Sequence, residues 1–409
     1  MKSLFHKLLD NPTRRRVGLA VLLYGLQLKF KRNSYSHESL QQKILYRSFF
    51  DAFFHPPKSA WVTVIVPSEI LFSLGLSPIM LESMGGVVGS MGLTESFLKN
   101  AEELGIPSSL CTFHRAHLAS VLKKLFPKPQ CVMAASSLCD GNLRSLQEIS
   151  EVFDSPFFFL DTPESSSSQS ITYIKQQLEN IFYQLADQMN VKNPLPRLKE
   201  TLEIAEETRK WIQKVNELRK NLYLPLKPLG IVWTFPLHTS QLGSLQTLQH
   251  FKRLYRDYQT KGKSIPGHKI RFLLLHLLPT YEHPVLELLK KRDGVIVMEE
   301  TSALSWPPLN PEKPFTSLAE KILHQPMMGD SKRRLQHINR VCDEYAIQGI
   351  IHFSHWGCRQ SSGSINAWKR YLSRPCLNLE TDLVNSQSSS TGQIYTRVEG
   401  FLEMLQSQR

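Results

Sequence analysis

Short apolar runs alternate with amphipathic stretches along most of this chain. In the first half, Trp61–Pro67, Gln130–Ser136 and Pro156–Asp161 are apolar almost throughout, which predicts strands buried on both faces. Between the first two, Leu93–Leu104 and His117–Leu125 repeat with the period of a helix. From Ile171 to Tyr223 the pattern predicts amphipathic helices, broken at Asn193–Pro196 where two prolines remove backbone donors. A second set of strands follows at Gly230–Thr234, Ile270–His276, Gly294–Glu299, Gly349–Ser354 and Pro375–Glu380, with a helical run at Arg333–Ala346. Strands alternating with helices predict an α/β fold with parallel sheets covered by helices. The expected architecture is two Rossmann- or flavodoxin-like domains, joined by helices and preceded by a helical N-terminal segment. The divisions fall at 1–60, 61–224 and 225–409, with Pro225–Pro228 as the boundary.

Composition adds little to this picture, except at the N-terminus. The 409 residues are 41% hydrophobic and 21% charged, as in an ordinary globular protein. Six cysteines are too sparse for a secreted disulfide scaffold and point to a reducing, cytoplasmic setting. Val17–Leu28 is apolar and flanked by basic residues, but it is shorter than the roughly 20 residues a membrane span needs. It lacks a small-residue cleavage site and reads as a helix packed on the body, with no membrane partner. The net charge is +13, and residues 1–33 hold eight Lys/Arg against the single acid Asp10. That arm is either simply solvated or meets an anionic partner such as a phosphorylated cofactor or an acidic protein. Nucleic acid ranks last among such partners, because no RNA- or DNA-binding signature accompanies the arm. No P-loop is present, so ATP hydrolysis by this chain is not expected.

The cysteines divide into two kinds. Cys131, Cys342 and Cys376 sit inside a strand or helix pattern and read as small core residues. Cys111, Cys139 and Cys358 each stand where an apolar, strand-like run gives way to a loop or a helix start. Helix N-termini favour the thiolate that metal binding requires. In an open α/β sheet, thiols at the carboxyl ends of strands can converge from distant parts of the chain. Three thiolates around an iron–sulfur cube would leave one iron open for chemistry. The spacings of 28 and 219 residues match no local zinc or ferredoxin motif, so ligation and unconnected structural thiols both stand open on the residues alone. Ser136, Ser137, Ser354 and His355 lie near two of these cysteines and are candidate donors to sulfur or substrate oxygen. His355 is also a candidate proton carrier. Glu69 reads as a base or as a helix-end acid, Arg397 and Glu399 as a pair holding the last helix, and Asp161 and Asp382 as strand-end anchors.

Several segments taken together resemble one family. Val66–Pro78, Leu110-Cys111, Leu138–Asp140, Ser155–Pro163, Asp293–Glu300, Ile351–Cys358, Pro375–Asp382 and Gly392–Glu403 run in order from about residue 61 to the C-terminus. They resemble the 2-hydroxyacyl-CoA dehydratase and benzoyl-CoA reductase family of anaerobic iron–sulfur enzymes. The resemblance implies that Cys111, Cys139 and Cys358 hold one 4Fe–4S cluster with an open fourth iron. It implies a lyase that eliminates water from a 2-hydroxyacyl-CoA through a ketyl radical anion. His355, Ser137 and Glu69 are then the candidate catalytic residues. It also implies an ATP-dependent iron–sulfur activator protein, an acyl-CoA substrate, and a related second subunit or a second copy of the chain. Two alternatives accompany it. One is an ATP-driven reductase of the benzoyl-CoA or double-cubane type, although a double cubane needs about six thiolates and three of the six here look like core residues. The other is a non-catalytic paralogue that carries a cluster or transfers electrons. Around Glu300–Trp306 the chain lacks a cysteine and an arginine that family members often carry, and the basic N-terminal arm is not a family hallmark. We expect that arm to meet CoA phosphates or the electron donor.

Overall fold

A computed structural model describes residues 18, 35–90, 92–225, 231, 234–388 and 390–408. The expected helix at Val17–Leu28 and the basic arm lie outside the described residues, apart from a helical Gly18.

The first lobe is built on four parallel strands, β1 (Ser59–Val62), β2 (Ser77–Met80), β3 (Cys131–Ala135) and β4 (Phe157–Leu160), in the order β2-β1-β3-β4. A short antiparallel ribbon follows, β5 (Leu222–Tyr223) with β6 (Lys263–Ser264). The second lobe repeats the parallel plan with β7 (Ile270–Leu275), β8 (Gly294–Glu299), β9 (Gly349–His355) and β10 (Cys376–Thr381), in the order β10-β9-β7-β8.

Strand alternation sets the layers. Ala60 and Val62 face one core with Cys131 and Met133, while Trp61 faces another with Val132 and Ala134. The first of these cores is closed by α1 (Ser36–Phe54) and α2 (Ser68–Ser73). On the other face lie α3 (Leu81–Ser90), α4 (Thr94–Glu103), α5 (Thr112–Leu122) and α6 (Asp140–Phe153). The long helices α7 (Ser168–Gln188) and α8 (Leu195–Arg219) join the first core, with α9 (Thr234–Thr239) and α10 (Leu245–Lys261) beside them. In the second lobe, α11 (Pro284–Lys291) covers one face. Helix α12 (Pro314–Leu323) reaches back to pack on α7 in the first core. The other face is covered by α13 (Ser331–Glu344) and by the short helices α14 (Arg359–Ser362) and α15 (Ile365–Trp368). The closing helix α16 (Thr391–Ser407) packs beside α11. Among the described residues no helix is long and apolar enough to cross a membrane.

Three readings from the sequence are corrected, and one strand, β2, was not foreseen. The first strand ends at Val62, because Thr63 turns its hydroxyl to accept the Ala135 N–H at 3.0 Å and the chain leaves the ladder. Strand β2 carries Pro78, which lacks a ladder donor, and so lies at the sheet edge. The run Gly230–Thr234 is not a strand, since Ile231 and Thr234 are helical. Arg397 and Glu399 do not pair with each other. Arg397 donates to the Asn378 carbonyl at 2.5 Å, and Glu399 pairs with Arg292 at 3.1 Å. The final helix is therefore tied to two different elements.

Candidate functional site

Cys111, Cys139 and Cys358 are each the N-cap residue of a helix, α5, α6 and α14 respectively. Cys139 follows β3 and Cys358 follows β9, as expected, but Cys111 follows a loop rather than a strand. The other three cysteines are packing residues: Cys131 and Cys342 are fully buried and Cys376 packs against the outer core of the second lobe.

The two lobes bring the first three together. Gly357 has a φ of +79°, a conformation that favours glycine, and a Cβ there would stand 3.0 Å from both the backbone nitrogen and the Cα of Cys111. The loop that presents Cys358 thus rests on the residue that presents Cys111. One imidazole Nε2 faces each sulfur: His355 lies 3.2 Å from Cys111, His114 lies 3.3 Å from Cys139, and His276 lies 3.6 Å from Cys358. Asp382 accepts the Thr112 hydroxyl and the backbone N–H groups of Val384 and Asn385, fastening the start of α5 to the second lobe.

Burial pushes all three thiols up, that of Cys139 to about 11, and it outweighs the first-turn N–H groups that favour the thiolate. The expected lowering by helix N-termini is present but loses to desolvation. Cys111 also feels the charges of Cys358 and Cys139, so the three thiols form one electrostatic unit. Binding a metal here would displace protons from sulfur.

Glu82 is a site residue that the sequence reading missed. It sits in the first turn of α3, directly after β2. Its Oε1 accepts the side-chain amide of Asn142, three residues beyond Cys139, and its Oε2 is buried without a partner. Burial raises this carboxyl to about 7. Glu82 is the one titratable residue lining an apolar slot between the lobes, formed with Ser83, Phe113, Leu277, Thr280 and Thr301. The signal was visible: Glu82 is the lone charged residue between Glu69 and Glu95.

The other candidates divide by how their polar atoms are used. The Ser137 hydroxyl is buried and unpartnered beside Cys139, whereas Ser136 bonds Asp161 and Ser354 bonds Ser362. Glu69 does not line the slot; it pairs with Lys321. His355 is turned to Cys111 rather than into the slot. Near Cys358, Arg334 holds the buried Glu300 carboxyl down to about 2 against the desolvation that would raise it. Glu300 in turn accepts the backbone N–H of His276 at 2.8 Å.

Three thiols are a donor set that an iron–sulfur cluster can take. Among the described residues no three His, Cys, Asp or Glu side chains come together tightly enough to share one metal ion. In a cube each thiolate binds a different iron, so the sulfurs stay apart. Buried polar atoms without a partner occur on Ser137, two residues before Cys139, on His114 and Asn142, which contact Cys139, and on Glu82, which accepts from Asn142.

Residues 63–405 match the family described as 2-hydroxyglutaryl-CoA dehydratase, D-component. The chain belongs to this family. It is 21% identical over 368 residues to the (R)-phenyllactyl-CoA dehydratase alpha subunit of Clostridium sporogenes, covering 85% of this chain and 89% of that one. It is 24% identical over 215 residues to the (R)-2-hydroxyisocaproyl-CoA dehydratase alpha subunit of Clostridioides difficile, covering 50% and 52% respectively. Both relatives are named as subunits, which implies an enzyme of more than one chain.

Proposed function

We propose that this chain is the iron–sulfur subunit of a 2-hydroxyacyl-CoA dehydratase. The observation that carries this reading is the meeting of three helix-capping thiols from two lobes beside a slot with one buried carboxyl. Cys111, Cys139 and Cys358 would hold a 4Fe–4S cluster. When bound, that group would supply a low-potential electron and a Lewis-acidic iron, allowing the thioester to pass through a ketyl radical anion.

The chain's own residues do the rest. Phe113, Leu277 and Leu278 keep the slot apolar and exclude water. Its free volume is about 30 Å³, room for one or two waters, so an acyl chain enters by displacing side chains. Glu82 accepts the proton from the carbon next to the one that loses hydroxide, and Asn142 holds the carboxyl in place. The Ser137 hydroxyl, free beside Cys139, donates to a substrate oxygen. A related second subunit and an ATP-driven iron–sulfur activator complete the enzyme.

Anaerobically purified protein tests this through its iron and sulfide content and its visible spectrum. Near four irons per chain, with a spectrum that shifts when 2-hydroxyacyl-CoA compounds are added, supports the reading. Protein without iron after reconstitution refutes it. A cluster whose spectrum ignores every acyl-CoA leaves the electron-carrying role in its place.

A further inference from the structure

The imidazole of His355 is held at both ring nitrogens. Its Nδ1 accepts the backbone N–H of Leu383 at 3.1 Å, so that nitrogen carries a lone pair. The ring proton is therefore on Nε2, which points at the Cys111 sulfur from 3.2 Å. The ring is fully enclosed and meets Phe113 edge to face, with centroids 5.2 Å apart. The hydrogen-bond partner of Nδ1 is backbone, and the nearest charge is Asp382 Oδ1 at 3.9 Å, from the same carboxylate that accepts the Thr112 hydroxyl; it favours a proton on the ring. The orientation is thus fixed by main chain and packing on both sides of the cleft.

His276 shows the opposite arrangement. Its Nδ1 faces the Phe353 carbonyl at 3.0 Å and must carry the proton, so its Nε2 offers a lone pair toward Cys358. The Nδ1 of His114 has no partner, which leaves its tautomer open. Of the three imidazoles, His355 is the one whose surroundings commit it to donating to sulfur.

We propose that His355 is a positioning residue that donates a permanent N–H···S hydrogen bond to Cys111 and thereby sets the reduction potential of the bound cluster. This rests on the cluster assignment above. A donor to a cluster sulfur stabilises the extra negative charge of the reduced state, so it raises the potential. Without it the cluster would be a stronger reductant and harder to charge.

Two substitutions separate this role from a merely structural one. His355→Asn keeps an acceptor where Nδ1 stands, preserving the Leu383 contact, but withdraws the donor from Cys111. His355→Gln reaches the Nε2 position with an amide N–H and gives up the Leu383 contact. Both are loaded with iron and sulfide anaerobically and titrated with dithionite and mediators, reading the reduced cluster by EPR. The midpoint potential should fall in His355→Asn and stay near the parent value in His355→Gln. An unchanged midpoint in a fully loaded His355→Asn would overturn the assignment, as would equal falls in both variants. Parent protein that binds no iron would remove the cluster reading itself, an outcome distinct from an unmoved potential.

Discussion

Lys321 Nζ lies 2.5 Å from Glu69 Oε1, and both side chains are buried, at 4% and 0% exposure. The pair joins α12 of the second half of the chain to α2 of the first lobe. Removing one partner of a buried pair strands an uncompensated charge and costs about 3–5 kcal/mol. Lys321→Met should therefore lower stability by about that much, while Lys321→Met with Glu69→Leu should recover most of the loss. Urea midpoints of the two variants against the parent check this; equal losses would mean that the pair is not what ties these helices.

Glu82 makes the pH dependence readable. Its folded pKa of about 7 lies above the ordinary value of 4.5, so its contribution to stability is fully present below 4.5 and is lost as pH rises through 7. Glu82→Gln cannot ionise, so the decline between those two pH values should be shallower in the variant, as seen by denaturation at a series of pH values. Dehydration by the parent should rise with pH through about 7 as the carboxylate forms, and Glu82→Gln should lose about 10²–10⁴-fold in rate.

Alanine at Cys111, Cys139 or Cys358 should abolish retention of iron and sulfide on desalting. Alanine at Cys131 or Cys342 should leave it intact and cost only the packing of a small buried side chain. Elemental analysis of all five variants reads this directly. Loss of iron in Cys342→Ala would call the sorting of the thiols into question.

Gly357→Ala tests the contact between the lobes. The substitution imposes about 1–2 kcal/mol for the left-handed backbone and adds a methyl 3.0 Å from the Cys111 backbone. The Cys358 loop should be displaced, lowering iron retention more than thermal stability. Calorimetry paired with iron analysis separates the two effects.

Much of the fold was legible because hydrophobic period is a local property. Gly294–Glu299 was read to the residue, and the other three strands of the second sheet were read to within one. Failures came where local pattern is ambiguous. β2 is four residues long and contains Pro78, and the apolar run before Thr234 is too short to tell strand from helix. Glu82 was passed over because its segment follows the one strand of the first sheet that was not recognised.

From the sequence alone came the two sets of alternating strands and helices, the division of six thiols into three core residues and three at helix starts, and the family. These depend on residue type and on neighbours a few positions away. The tertiary structure decided which imidazole meets which sulfur, that desolvation overrides the helix N-termini at the thiols, and that Glu82 stands in the slot. Those outcomes depend on how two lobes pack, bringing His355 to Cys111 across 244 residues of chain, and no local pattern encodes that angle.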